Sequence, residues 1–110
     1  MKFTNVYSRI VIANQVTRKL LELQDYYRGR GIPLEEVNQG DCLYVTGEVC
    51  RTVKDAEEVW DHELDPEEHR GHAVIRYQNR YYDIESPQGV QDWKQLPVYS
   101  RPDGGWRWRD

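Results

Sequence analysis

Gly71-His72-Ala73-Val74-Ile75-Arg76-Tyr77-Gln78-Asn79-Arg80-Tyr81-Tyr82-Asp83-Ile84-Glu85 is the stretch that decides the fold. Its apolar and β-branched residues alternate with polar ones on both sides of Gln78-Asn79, the pattern of two strands joined by a tight turn. Asn tolerates the left-handed backbone that two-residue hairpin turns require. With the turn there, Tyr77 pairs with Arg80, Val74 with Asp83 and His72 with Glu85. One face then carries Ala73, Ile75, Tyr77, Tyr82 and Ile84 and reads as core. The other carries His72, Val74, Arg76, Tyr81, Asp83 and Glu85 and reads as a polar face. On it His72 and Asp83 are diagonal neighbours, roughly 7–8 Å apart at Cα. A three-residue turn would put them on opposite faces, and the apolar alternation argues against it. Asp83 and Glu85 both remain available as the partner of His72.

Upstream, Val6, Ile10, Ala13, Val16, Leu20, Leu23 and Tyr27 recur at three- and four-residue steps. That stripe predicts an amphipathic helix over residues 5–28. Ile10-Val11-Ile12 also suits a short strand. Gly29, Gly31 and Pro33 end the helix. Residues 33–38 suit either a short helical turn or an extended piece. Gly40-Asp41 introduces a second helix over residues 42–60, with Asp41 as its N-cap and Leu43, Val45, Val49, Val53 and Ala56 or Val59 on its apolar side. Gly47 within it costs about 1 kcal/mol relative to Ala, which a close backbone crossing would justify.

Residues 61–70 read as a charged loop around Pro66, and Pro87-Gln88-Gly89 as a turn. Residues 96–100 and 105–109 read as further strands. The plan is α+β: two N-terminal helices packed on a small antiparallel sheet, in one domain spanning residues 1–110.

The bulk numbers narrow the function. The chain has 110 residues, a net charge of -4, 38% hydrophobic and 31% charged residues. That balance is foldable and leaves room for one core. Charges are mixed, so no broad positive field favours nucleic acid. Trp106-Arg107-Trp108-Arg109 is a local exception that can stack on bases, or form an edge strand with its Trp side on the core. No segment approaches the ~20 apolar residues of a membrane span. No apolar run of signal-peptide length opens the chain, so the expected compartment is cytoplasmic. Eight Tyr and four Trp against one Phe imply a core of large rings whose polar atoms need partners. So many aromatics also allow homo-oligomers.

Cys42 stands at the predicted start of the second helix, in Asn38-Gln39-Gly40-Asp41-Cys42. A helix start favours a thiolate, and a neighbouring imidazolium favours it further. On one helix Cys50 lies roughly 12 Å away, beyond the ~7 Å a disulfide allows, so both thiols are free. Cys50 sits deeper and reads as a small buried hydrophobe. A thiol followed by a histidine and a carboxylate on a hairpin is the order needed by a nucleophile, its base and its orienter. The Cys42 amide, with Gln39 as a side-chain donor, can hold a developing oxyanion.

With Gly40-Asp41-Cys42 opening a helix, Gly71-His72-Ala73-Val74-Ile75 on a strand and Arg80-Tyr81-Tyr82-Asp83 on the next, the chain resembles the papain-like, transglutaminase-like superfamily of cysteine enzymes. The likeness covers about residues 39–86. It implies a nucleophile helix packed on an antiparallel sheet, with Cys42 as nucleophile, His72 as general base and acid, and Asp83 as orienter. It implies a peptidase, amidohydrolase, deamidase or transglutaminase-like activity through a thioester, on a protein, peptide or other acyl substrate, with no cofactor or metal.

Two other readings stand beside it. A catalytically silent scaffold would bind a protein partner or act as an inhibitor through exposed aromatics such as Trp93, Trp106 and Trp108. A metal site would draw on His62, His69 and His72 with Asp61, Glu63, Asp65, Glu67 and Glu68. Their spacing matches no familiar zinc pattern, and a charged loop accounts for them.

Overall fold

The turn falls where the alternation places it. In the computed structural model, which describes residues 13–101, Gln78 and Asn79 have φ of 51° and 63°. Both are left-handed, as a type I′ hairpin turn demands. Tyr77 pairs with Arg80, Arg76 with Tyr81 and Ile75 with Tyr82, which is the expected register.

Helices α1 (Gln15–Gly29), α2 (Leu34–Gly40) and α3 (Cys42–Thr52) precede strand β1 (Glu57–Trp60). A single helical turn, α4 (Asp61–Leu64), follows it. Strands β2 (Ala73–Tyr77), β3 (Arg80–Asp83) and β4 (Ser86–Val90) then complete the sheet, and two 3-10 turns cover Trp93–Gln95 and Pro97–Ser100. The described residues form an α+β fold with a four-stranded antiparallel sheet in the order β1-β2-β3-β4. None of their helices is long and apolar enough to cross a membrane.

The first helix starts later than its stripe suggests. Asn14 caps it by accepting a hydrogen bond from the Thr17 amide at 2.8 Å, and Val6 and Ile10 lie outside the described residues. Val16, Leu20, Leu23 and Tyr27 are buried. Residues 34–40 prove helical, adding a third N-terminal helix to the two expected.

The helix expected over 42–60 ends at Thr52. Val53 turns extended, with φ -116° and ψ 113°, and Asp55 takes a φ of 73°. Val59, one end of the apparent helical stripe, instead pairs with Val74 across β1 and β2. Tertiary pairing of β-branched and aromatic residues overrides a helical period that persisted by coincidence. Gly47 meets no close crossing, since a Cβ there would find nothing within 4 Å.

Three further expectations are corrected. Pro87-Gln88-Gly89 is not a turn but part of β4, an edge strand where proline is tolerated. The turn lies one step earlier, at Ile84-Glu85, where Asp83 Oδ1 accepts from the amides of Glu85 and Ser86, each at 3.0 Å. Glu85 therefore leaves the sheet and does not pair with His72. Residues 97–100 coil into a 3-10 turn rather than a strand, because Pro97 lacks an amide hydrogen and its fixed φ suits a helical start. The strand expected at 105–109, and the Trp106–Arg109 tail, lie outside the described residues.

The sheet is buried on both faces. Val16, Leu20, Leu23, Tyr27, Val45 and Val49 of the helices pack with Ile75, Tyr82 and Ile84 on one side. On the other, Val59, Val74, Trp93 and Leu96 form a second cluster, with Tyr99 packed against it. The face expected to be polar is thus roofed by Trp93–Ser100. Trp93, expected as an exposed binding aromatic, is buried and meets Tyr99 edge to face at 4.9 Å.

Candidate active site

The roof leaves His72 and Asp83 in the interior. His72 lies just before β2 and Asp83 ends β3, and they are 0% and 2% exposed. His72 Nε2 is 3.0 Å from Asp83 Oδ2. Two strand neighbours bring them together, and the Asp83 carboxylate is saturated. Its Oδ1 takes the two turn amides, while its Oδ2 also accepts from Asn38 Nδ2 at 3.2 Å.

Cys42 is the first residue of α3 and is partly buried. Burial opposes ionisation of its thiol. Hydrogen bonds from the His72 ring and the amides of Ala73 and Leu43, with the charge of His72, outweigh it and hold the thiol below its ordinary value. Burial likewise opposes charge on His72, but hydrogen bonds to Asp83 and Cys42 and their negative charges push it up to about 9. The ring thus has two partners, Asp83 at Nε2 and the Cys42 thiol. The two shifts have opposite directions and the same tendency: each favours a thiolate beside an imidazolium. Cys50 shifts the other way, raised by burial and by Glu58 and Glu57. Both cysteines are free thiols.

Asp41 occupies the N-cap position of α3, yet its side chain makes no cap bond. It accepts instead from the Tyr27 hydroxyl at 3.1 Å. Burial and that bond together raise the Tyr27 pKa. The first-turn amides of α3 are therefore not consumed by an N-cap carboxylate.

Gln39, Gly40, Cys42, Leu43, Trp60 and Gly71 line a cleft of about 200 Å³. Gln39 and Cys42 thus border the same space, which an oxyanion donor requires. Glu85, the other carboxylate in reach by sequence, is not on the His72 ring. Its Oε1 accepts from Asn38 Nδ2 at 2.8 Å, and its Oε2 pairs with Arg101 Nη2.

No family model, curated protein or solved structure matches the chain. The site is therefore read from its own residues.

Several of those residues escaped the sequence reading. Asn38 is fully buried and ties α2 to the end of β3 through Asp83 and Glu85. It sits in the stretch before Cys42, but nothing in its spacing distinguishes it from a solvated loop amide. Asp61, taken as part of a charged loop, is fully buried. Its amide donates to the His72 carbonyl at 3.0 Å, and its Oδ2 accepts from the His72 amide at 3.0 Å and the Tyr99 hydroxyl at 2.9 Å. Burial, then the charge and hydrogen bond of Asp61, raise the Tyr99 pKa, so Tyr99 stays a donor. Asp61 was hidden among four acidic neighbours of similar pattern, Glu63, Asp65, Glu67 and Glu68. The proposed metal ligands are dispersed: among the described residues no group of three or more His, Cys, Asp or Glu is placed to hold an ion.

Proposed function

We propose that the protein is a cysteine-dependent acyl-transfer enzyme of papain-like architecture, with Cys42 as nucleophile, His72 as acid and base, and Asp83 as orienter. The observation that carries this reading is the buried His72–Asp83 pair, 3.0 Å apart, joined to a thiol at a helix start whose ionisation it favours.

The Cys42 thiolate adds to a substrate carbonyl carbon, and the π pair moves onto oxygen. The Cys42 amide and Gln39 are the candidate donors to that oxyanion. As the tetrahedral intermediate collapses, the C–N or C–O bond breaks and the leaving group takes the His72 proton, leaving a thioester. Water or an amine then adds to the thioester while His72 removes its proton. Collapse expels the thiolate and restores the ion pair. Asp83 keeps the ring oriented and stabilises its charged form throughout. The incoming nucleophile determines hydrolysis or transfer.

Iodoacetamide labelling at pH 6.5, read by mass spectrometry, tests the reading. Cys42 should label at least ~10-fold faster than Cys50, since one pKa unit is tenfold in thiolate fraction. His72→Gln should abolish that advantage. Equal, slow labelling of both cysteines would favour the silent scaffold instead.

A further inference from the structure

Resting on the acyl-transfer reading, we propose that the cleft beside Cys42 is the specificity pocket. It admits one uncharged apolar or aromatic side chain of the acyl donor.

Three observations converge. The cleft is continuous with the reactive centre, because Cys42 itself forms part of its wall. Among the described residues its other walls are Gln39, Gly40, Leu43, Trp60 and Gly71, with no Asp, Glu, Lys or Arg. In a chain that is 31% charged, that composition sets the cleft apart from its charged surroundings. Two other clefts carry charge: Glu57, Glu58, Glu63 and Arg76 line one, and Arg18, Lys19 and Glu22 the other. A charged substrate group entering the cleft beside Cys42 would lose water and meet no charge but that of the Cys42 thiolate, which His72 already neutralises, and this is costly.

Size sets the second limit. A cavity of about 150 Å³ holds a benzene ring, and drug-sized sites begin near ~300 Å³. The cleft, at about 200 Å³, therefore suits one ring or branched aliphatic group.

Leu43 supplies the third. It directly follows the nucleophile and is 51% exposed. Trp60 faces the same space from the end of β1, with its amide held by Glu63 Oε1 at 2.8 Å. A side chain lying between them removes apolar surface on both walls from water. Gly40 and Gly71 contribute backbone alone, so no side chain from either fills the space.

The test uses two series of peptidyl chloromethyl ketones, in which Cys42 displaces chloride. The variable residue is Phe, Leu, Glu or Lys. It bears the ketone in one series and precedes it by one residue in the other. Every rate is divided by the same protein's iodoacetamide rate at Cys42, which reports the thiolate without engaging the pocket.

In at least one series Phe and Leu should react ~10-fold or more faster than Glu and Lys, the discrimination expected from burying such a side chain. Trp60→Ala should reduce that ratio at least ~3-fold. Leu43→Ala, at an exposed position that folding tolerates, should do the same and keeps the test open if Trp60→Ala does not fold. Equal normalised rates for all four residues in both series, or a preference untouched by Leu43→Ala, overturn the pocket while the acyl-transfer reading stands. A Cys42 no more reactive toward iodoacetamide than Cys50 overturns both.

Discussion

At Cys42 and His72 stability depends on pH from opposite sides. The His72 pKa is raised from an ordinary 6.5 to about 9. Its charged form therefore adds stability fully below about 6.5, and that contribution is lost as pH rises through about 9. The Cys42 pKa is lowered, so its thiolate adds stability above the ordinary thiol value and loses it as pH falls through the depressed one. Between those limits the ion pair persists. Acyl transfer should consequently decline above pH ~9, where His72 no longer carries the leaving-group proton, while simple alkylation of Cys42 does not decline. Parallel pH profiles of turnover and alkylation check this, and a shared alkaline limb would remove His72 from the acid role.

Asp61 acts at the same scale but from behind the ring. Asp61→Ala strands the His72 amide and the Tyr99 hydroxyl without their buried acceptor, a loss of about 1–3 kcal/mol for each group. Asp61→Asn keeps an acceptor oxygen. The expected outcome is a lowered urea midpoint and slower Cys42 labelling per folded molecule in Asp61→Ala, with both largely restored in Asp61→Asn. A folded Asp61→Ala that labels at the wild-type rate would confine Asp61 to stability alone.

At the level of elements, Gly89 shows how tightly β4 is laid on β3. Its φ is +79°, and a Cβ there would sit 2.6 Å from the Tyr82 ring, which is itself fully buried. Arg80 Nη2 also donates to the Gly89 carbonyl at 2.8 Å. Gly89→Ala should therefore destabilise the fold by about 1–3 kcal/mol, measured by urea unfolding. A change under ~0.5 kcal/mol would mean that Tyr82 moves aside freely.

The hairpin was legible because everything specifying it is local. Turn residues with left-handed tolerance and a period of two fix its register within fifteen residues. From that register came the juxtaposition of His72 and Asp83. The end of α3 was not legible, because the stripe of Val45, Val49, Val53 and Ala56 runs on to Val59, and only pairing with Val74 distinguishes strand from helix. Glu85 was misplaced for a related reason. The Asp83 carboxylate draws the chain into a turn through two side-chain-to-amide bonds, which a pattern of apolar residues does not register.

On the scale of the whole molecule, the sheet divides two apolar cores. Residues 93–100 make the second by folding over a surface that alternation alone assigned to solvent. What covers a strand face depends on segments distant in sequence, so the burial of His72, Asp83 and Asp61 was invisible beforehand. That burial changes the chemistry. An exposed His–Asp pair would be worth little, whereas this one is shielded from water and keeps its charge. Gln24 Nε2, donating to the Ile84 carbonyl at 2.8 Å, and Asn14 Nδ2, donating to the Tyr82 hydroxyl at 2.9 Å, fasten α1 to the same hairpin from the opposite core.

The partners in the site also meet across unequal lengths of chain. His72 and Asp83 are eleven residues apart, a loop that closes quickly, whereas Cys42 precedes His72 by thirty and must await docking of its helix on the sheet. A newly made or refolding chain thus carries an ordinary thiol until its tertiary structure closes, and its reactivity times its own assembly. Pulse labelling during refolding should show rapid Cys42 alkylation at pH 6.5 emerging with the slowest step of helix–sheet docking, later than protection of the hairpin amides.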